Sequence, residues 1–347
     1  MRFRHHGRGR RLLSAAMALT PDAALDLLRS PFALEDLGAG PFVVDATRGD
    51  AELGAVSATL RALPCVTVAV THDRVPPPRA PAWVAAFDAV ITEAEVDDLT
   101  AAVARSPMAS LALVQLLRAG EALDVWGGLF AESTVYSMLQ AGPEFARWLA
   151  SRHGERADPL VGPAVVTARD GAIVRVTLNR PTLHNAFDTT MRDELVTTLR
   201  TVVADPSVAE LHLDGAGPSF CSGGDLDGFG TFPDPASAHG VRMTRSPAWW
   251  LAQCADRTSV AVHGACLGAG IELAAFAREV TATEAAFFQL PEVALGLVPG
   301  AGGTVSLPRR IGRQRTAWLA LSGRRIDAAT ALAWGLVDRV NGRPHRH

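Results

Sequence analysis

The 347-residue chain is 48% hydrophobic and 20% charged with a formal net charge of −3, a globular composition with room for two domains. No basic excess argues for nucleic acid, and no apolar run of about 18 residues argues for a membrane span. All 33 basic residues are arginine, which excludes a Schiff-base lysine and a Walker-type phosphate loop with its lysine.

Residues 1–20 combine a basic head with a short apolar stretch from Leu12 to Leu19 and read as a flexible leader; a weak secretory signal is the other reading. Thr20 then caps a helix over 21–30, opened by Pro21 and Asp22 and stopped by Pro31. Strands are predicted at 41–46 and 65–70, with an amphipathic helix over 50–62 between them. A proline cluster at 76–81 separates them from a third strand at 87–92. This alternation marks a layered α/β unit.

From Glu93 to about Arg152 the pattern turns helical, with apolar residues three and four apart through Leu111, Val114 and Leu117, then Val135, Met138 and Leu139. The polar stretch after Arg152 is the natural linker. The expected division is a leader over 1–20, an α/β and helical region over 21–152, a linker over 153–161 and a second α/β unit over 162–347.

That second unit opens with a strand at 172–178, a turn at 179–185 and a helix over 189–203 capped by Asp188 or Thr189. A strand at 209–215 leads into the glycine-rich turn 219-SFCSGGD-225. A helix over 240–255 and a strand at 258–264 precede a second such turn, 264-GACLGAGIEL-273. A strand at 278–283 and helices over 313–321 and 327–335 complete the pattern.

Both turns follow strands, and amides in such turns can approach a ligand oxygen closely because glycine offers no obstruction. Each could equally be a tight packing turn, and the second does not match the dinucleotide spacing GxGxxG. Cys221 and Ser222 suggest a nucleophile, yet Ser222 lacks a GxSxG setting and neither has an evident His or Asp partner. His263 reads as a core histidine. The four cysteines lack metal-like spacing and read as reduced thiols of a cytoplasmic protein, and no metal site is expected.

Glu272 and Glu292, 20 positions apart (292 − 272), each stand beside a glycine-rich turn in an apolar stretch. An uncompensated carboxylate is costly to bury, so such a stretch usually has a use for one. If both reach one pocket they could hold a water between them, one taking a proton and the other giving one. Two turns could each aim an amide at one carbonyl oxygen. That combination suits chemistry at the α and β carbons of a polarised carbonyl compound.

The segments 178-LNRPTLHNAF-187, 220-FCSGGDL-226, 263-HGACLGAGIEL-273, 288-FQLPEVALGLVPGAGGT-304 and 332-LAWGLVDRV-340, in this order, resemble the crotonase (enoyl-CoA hydratase/isomerase) superfamily over about 164–340. The resemblance implies an α/β fold with a ββα spiral core, preceded here by an α/β plus helical extension. It implies an acyl-CoA thioester as ligand, no cofactor beyond the coenzyme A of the substrate, and a homo-oligomer, trimeric or hexameric. By position, the amides of Gly224 and Ala269 would cradle the thioester oxygen. Phe220, Ser222 and Gly223 would border the adenine, and Asn185 and Ala186 the entrance. Asp225, Leu226, Gly268, Pro291 and Gly300 would complete the binding surface. Having both Glu272 and Glu292 favours hydration of a 2-enoyl-CoA, with Glu272 activating water and Glu292 protonating the α carbon.

Two departures stand out. The chain stops at His347, where family members continue into covering helices, and about 160 residues precede the core. Segments 106–120 and 131–152 are similar to those terminal helices, and the strands at 41–46 and 65–70 to a worn ββα core. A degenerate first unit whose helices dock on the second is therefore expected. Thr182 stands where a basic residue is frequent, leaving Arg180 or the pair Arg242 and Arg245 for the coenzyme A phosphates. The rival readings are an enoyl-CoA isomerase or other thioester-enolate enzyme, and a non-catalytic acyl-CoA-binding subunit.

Overall fold

The computed structural model describes residues 18–30, 32–33, 40–48, 53–73, 82–152 and 162–341. The expected leader up to residue 17, the proline cluster at 76–81 and the linker at 153–161 lie outside the described residues. The chain forms two compact units that meet in sequence between Pro107 and Met108.

In the first unit, helix α1 (Pro21–Arg29) starts on the Thr20 hydroxyl, which accepts the Ala23 N–H at 3.3 Å. Strands β1 (Phe42–Asp45), β2 (Thr67–Val70) and β3 (Ala89–Ile91) form a parallel sheet in that order. Helix α2 (Ser57–Ala62) lies between the first two strands in sequence, and α3 (Val96–Arg105) follows the third. The β2 residues are all buried, which suits a β-branched run with no polar alternation. Leu25, Leu28, Val44, Leu60 and Phe87 share one core. Buried Asp88 fastens β3 to β2: its Oδ2 accepts the Thr67 N–H at 2.8 Å and the Thr67 hydroxyl at 2.9 Å.

The second unit contains helices α4 (Pro107–Gly120, from its second residue), α5 (Val125–Gln140) and α6 (Pro143–Ser151), ahead of a six-stranded sheet. The sheet order is β12-β9-β7-β6-β5-β4, with β4 (Val165–Asp170), β5 (Ile173–Leu178), β6 (Glu210–Gly215), β7 (Thr258–Val262), β9 (Glu279–Thr283) and β12 (Arg339–Asn341). Only the β4–β5 hairpin is antiparallel; the other neighbours are parallel. A smaller sheet, β11-β10-β8, joins β8 (Ala265–Leu267) and β10 (Phe287–Gln289) in parallel, with β11 (Ile326–Asp327) antiparallel at the edge. The remaining helices are α7 (Thr189–Ala204), α8 (Pro235–Thr244), α9 (Pro247–Gln253), α10 (Ala269–Ala274), α11 (Gly303–Ile311), α12 (Arg313–Ser322) and α13 (Ala328–Trp334).

Several elements depart from expectation. Strand β4 was not anticipated, because all but its first residue is exposed and the apolar alternation that marks a half-buried strand is missing. Its partner is reached through Gly171 at φ +57°, after Asp170. The single helix expected over 240–255 is two, α8 and α9, divided where Pro247 removes an amide and the Ser246 hydroxyl accepts the Trp249 N–H at 3.1 Å. Helix α11 was hidden by its glycine start and by Pro308 inside it.

Candidate active site

Four segments run side by side and in parallel. Cys221 bridges Cys266, with the Cys221 N–H donating to Ala265 O at 3.1 Å and the Leu267 N–H to Cys221 O at 3.0 Å. On one side Phe187 bridges Gly224; on the other β8 pairs with β10, Leu267 opposite Gln289. Chains running in one direction leave at one end. The turns after Cys221 and after β8 are therefore neighbours, and so are the segments carrying Glu272 and Glu292.

The closeness of the two turns depends on glycine. Gly223 has φ +96° and Gly268 φ +45°, and a Cβ built on Gly268 would lie 3.6 Å from the Gly223 Cα. Among the described residues, neither the Gly224 N–H nor the Ala269 N–H donates to a protein acceptor. Both residues line a cavity of about 1050 Å³, together with Glu272 and Glu292.

Glu272 sits on α10 and is only 2% exposed. Its Oε2 accepts the N–H groups of Ala301 at 2.7 Å and Gly303 at 2.9 Å. Glu292 opens a 3₁₀ turn after Pro291, and its Oε2 is buried with no hydrogen-bond partner among the described residues. A Cβ on Gly268 would stand 2.4 Å from Glu292 Oε1, so glycine there admits the carboxyl group. Burial pushes the Glu272 carboxyl well above the usual range; the charges of Glu292 and Glu132 add to this, and the two amides oppose it. Burial likewise raises Glu292, to about 8.

A third buried acid shares the cavity wall and was missed from sequence. Glu132 of α5 accepts the Gly302 N–H at 2.7 Å, the Thr304 N–H at 2.9 Å and the Thr304 hydroxyl at 2.7 Å. Burial raises it to about 7 against the pull of those bonds and of Arg242. The apolar spacing runs through Val135, Met138 and Leu139, yet Met138 is 59% exposed and the buried face is Leu129, Glu132, Ser133, Tyr136 and Leu139. The i, i+3, i+4, i+7 spacing was present, but two polar members disguised it.

Arg242 of α8 packs over the Tyr136 ring at 4.6 Å and donates to Ser133 Oγ at 3.1 Å, Gln140 Oε1 at 3.2 Å and Ser137 Oγ. Arg180 and Arg245 also line the cavity. Tyr136 fits because position 300 is glycine: a Cβ there would lie 2.5 Å from its ring.

Of the residues expected to bind substrate, Ala186, Asp225 and Gly300 line the cavity along with Gly224, Ala269 and the two glutamates. Asn185, Phe220, Ser222, Gly223, Leu226, Gly268 and Pro291 are not among its lining residues. Asn185 is fully buried at φ +53°; its Oδ1 accepts the Arg180 N–H at 2.7 Å, and its amide nitrogen donates to Ala216 O and Ser219 O at 2.9 Å each. Phe220 is core, and Gly223 and Gly268 set the approach of the turns. The Ser222 N–H donates to His184 O at 2.9 Å and its hydroxyl faces Leu183 O at 3.4 Å. Burial pushes the Cys221 thiol up to about 12, which makes it a poor nucleophile.

The enoyl-CoA hydratase/isomerase family matches residues 168–345, half of the chain. The protein belongs to this family. A mevalonyl-coenzyme A hydratase of Beauveria bassiana (strain ARSEF 2860) is 35% identical over 176 residues, 48% of this chain and 63% of that protein. A 1,2-epoxyphenylacetyl-CoA isomerase of Escherichia coli (strain K12) is 37% identical over 172 residues, covering 48% and 66%. The solved enoyl-CoA hydratase of Thermoplasma volcanium GSS1 superposes with a TM-score of 0.48 at 32% identity, covering 52% of this chain and 73% of that one. The chain thus spans about two thirds of the length of such relatives. Family membership identifies the mixed α/β part from β4 onward as the crotonase-like core. An α/β unit and the helices α4–α6 precede it, and Glu132 stands on one of those helices, outside the matched residues.

Proposed function

We propose that the protein is an enoyl-CoA hydratase, adding water in syn fashion across a 2-enoyl-CoA thioester to give a 3-hydroxyacyl-CoA. One observation carries this reading: two buried glutamates line one cavity together with Gly224 and Ala269, whose amides have no protein acceptor among the described residues. The amides of Gly224 and Ala269 would take the thioester oxygen and stabilise the negative charge that develops when oxygen bonds to the β carbon. Glu272, with Oε2 held by two amides, would draw a proton from the attacking water. Glu292, raised so that it carries a proton at neutral pH, would deliver one to the α carbon. The protons belong to the coupled set of acids rather than to one of them. The addition is redox-neutral, so the proposal includes no cofactor beyond the substrate's coenzyme A.

Helix α5 lines the cavity through Leu129, Glu132, Ser133, Tyr136 and Gln140. This supports reading α4–α6 as this chain's counterpart of the terminal helices that cover the site in the family.

Isomerisation of an enoyl-CoA is the second reading, favoured by the inequality of the acids: one is held by two amides, the other has an oxygen with no partner among the described residues. Crotonyl-CoA hydration separates the readings. Loss of turnover in both Glu272→Gln and Glu292→Gln supports the hydratase, whereas isomerisation of a 3-enoyl-CoA surviving either change supports the isomerase. Tight acyl-CoA binding with no turnover at any chain length would point to a binding subunit.

A further inference from the structure

Four consecutive amides at the start of α11 are shared between two acids in strict alternation. Those of Ala301 and Gly303 go to Glu272, and those of Gly302 and Thr304 go to Glu132. A buried backbone stretch whose successive N–H groups point to opposite sides needs an acceptor on each side. With Glu272 alone, the Gly302 and Thr304 amides would lose their acceptor, and the segment would lose the hold opposite the Ala301 and Gly303 amides. Glu132 grips the opposite side through both of its oxygens, and the Thr304 hydroxyl adds a third bond at 2.7 Å.

The grip is itself anchored. Glu132 is 2% exposed, and Ser133 beside it takes hydrogen bonds from Arg242. A second fastening comes from the Ser306 hydroxyl, which donates to Glu272 O at 2.7 Å. A helix N-terminus favours negative charge, and here two acids crowd it from opposite sides. Glu132 also lines the cavity that Glu272 lines.

We propose that Glu132 is a positioning residue for the reaction at Glu272: it fixes the 301–304 amides against the Glu272 carboxyl group. This rests on the hydratase reading for its kinetic consequence but not for its chemical one. Glutamine in place of Glu132 presents one acceptor oxygen where two serve now, and turns an NH₂ toward an N–H donor.

The test uses Glu132→Gln in the full-length protein, with two readouts. The first is titration of the Glu272 side-chain carboxyl by ¹³C NMR without substrate, assigned by its loss in Glu272→Gln. The second is the pH profile of crotonyl-CoA hydration. We expect the Glu272 titration, and the acid limb of kcat/KM with it, to move down, because the like charge removed outweighs either amide that loosens. We expect kcat to fall roughly 10- to 100-fold as Glu272 loosens, with KM within about threefold. An NMR shift without turnover in the wild type would sink the hydratase reading and leave the coupling standing. An unchanged titration and unchanged kcat in folded Glu132→Gln would overturn the proposal. Should that variant fail to fold, Thr304→Val, which removes only the hydroxyl bond, decides: a kcat drop of about threefold or more at constant KM supports it, and wild-type kinetics refute it.

Discussion

Glu272 and Gly303 are fitted to each other twice over. The Gly303 N–H donates to Glu272 Oε2 at 2.9 Å, and a Cβ on Gly303 would lie 2.6 Å from Glu272 Cγ. The hydrogen bond brings the backbone close, and only a missing side chain lets it come so close. Gly303→Ala should therefore force the Glu272 side chain or the loop aside, costing about 1–3 kcal/mol of stability by overpacking. Crotonyl-CoA turnover should drop more than the melting temperature suggests, by roughly 10- to 100-fold, since the displaced group is the proposed base. Steady-state kinetics beside a thermal melt checks this; a destabilised variant with wild-type kcat would contradict it.

Gly268 plays the same part for Glu292, with a Cβ only 2.4 Å from Oε1 and φ of +45°. Gly268→Ala adds strain in a left-handed backbone to that clash, so we expect a larger loss than at position 303, of about 2–4 kcal/mol. Denaturant unfolding of both variants would rank them, and the reverse order would count against the geometry.

Removing the charge at either acid should separate activity from stability. Glu272→Gln and Glu292→Gln each delete a proton-transfer group, a loss of ~10²–10⁴-fold in kcat. The same changes relieve buried like-charge repulsion, so thermal stability near pH 8 should hold or rise. A fall in both would mean that the carboxylates chiefly hold the fold.

Much of this arrangement was readable from sequence because it is local. Glu272 follows a glycine turn at the end of β8 and Glu292 follows β10, and the parallel pairing of these two strands makes their segments neighbours. Asn185 shows where sequence reading runs short. It sits in a matched motif, but its three side-chain hydrogen bonds all go to backbone of its own and the neighbouring turn. Glu132 was out of reach for another reason. The outward side of its helix carries Trp126, Phe130 and Met138 while the inward side carries Glu132 and Ser133, so apolarity pointed the wrong way.

Asn185 accordingly yields an expectation about stability rather than affinity. Asn185→Ala strips a buried amide of the turn at 180–185 and leaves Ala216 O, Ser219 O and the Arg180 N–H without it, a cost of about 2–4 kcal/mol for several unsatisfied groups. Once folded, the variant should bind acyl-CoA with KM within about threefold of wild type, since the side chain is not on the cavity wall. A normal melting temperature with a tenfold higher KM would return Asn185 to the binding surface.

The acid cluster also fixes how stability and activity vary with pH. Glu292 titrates at about 8 and Glu132 at about 7 in the fold, against 4.5 as the ordinary value. Between those limits the folded chain holds protons that the unfolded chain has released, so stability falls as pH rises. This contribution is fully present below about 4.5 and lost as pH climbs through 8. Melting temperature followed from pH 5 to 9 should decline on this account, and the decline should be shallower in Glu292→Gln, whose side chain cannot titrate. Hydration should share the upper limit, because a proton donor at position 292 is spent once it ionises, so kcat should fall above about pH 8. A rate that keeps rising from pH 8 to 9 would remove Glu292 from that role and leave Glu272 as the acting acid–base group, the arrangement that suits the isomerase.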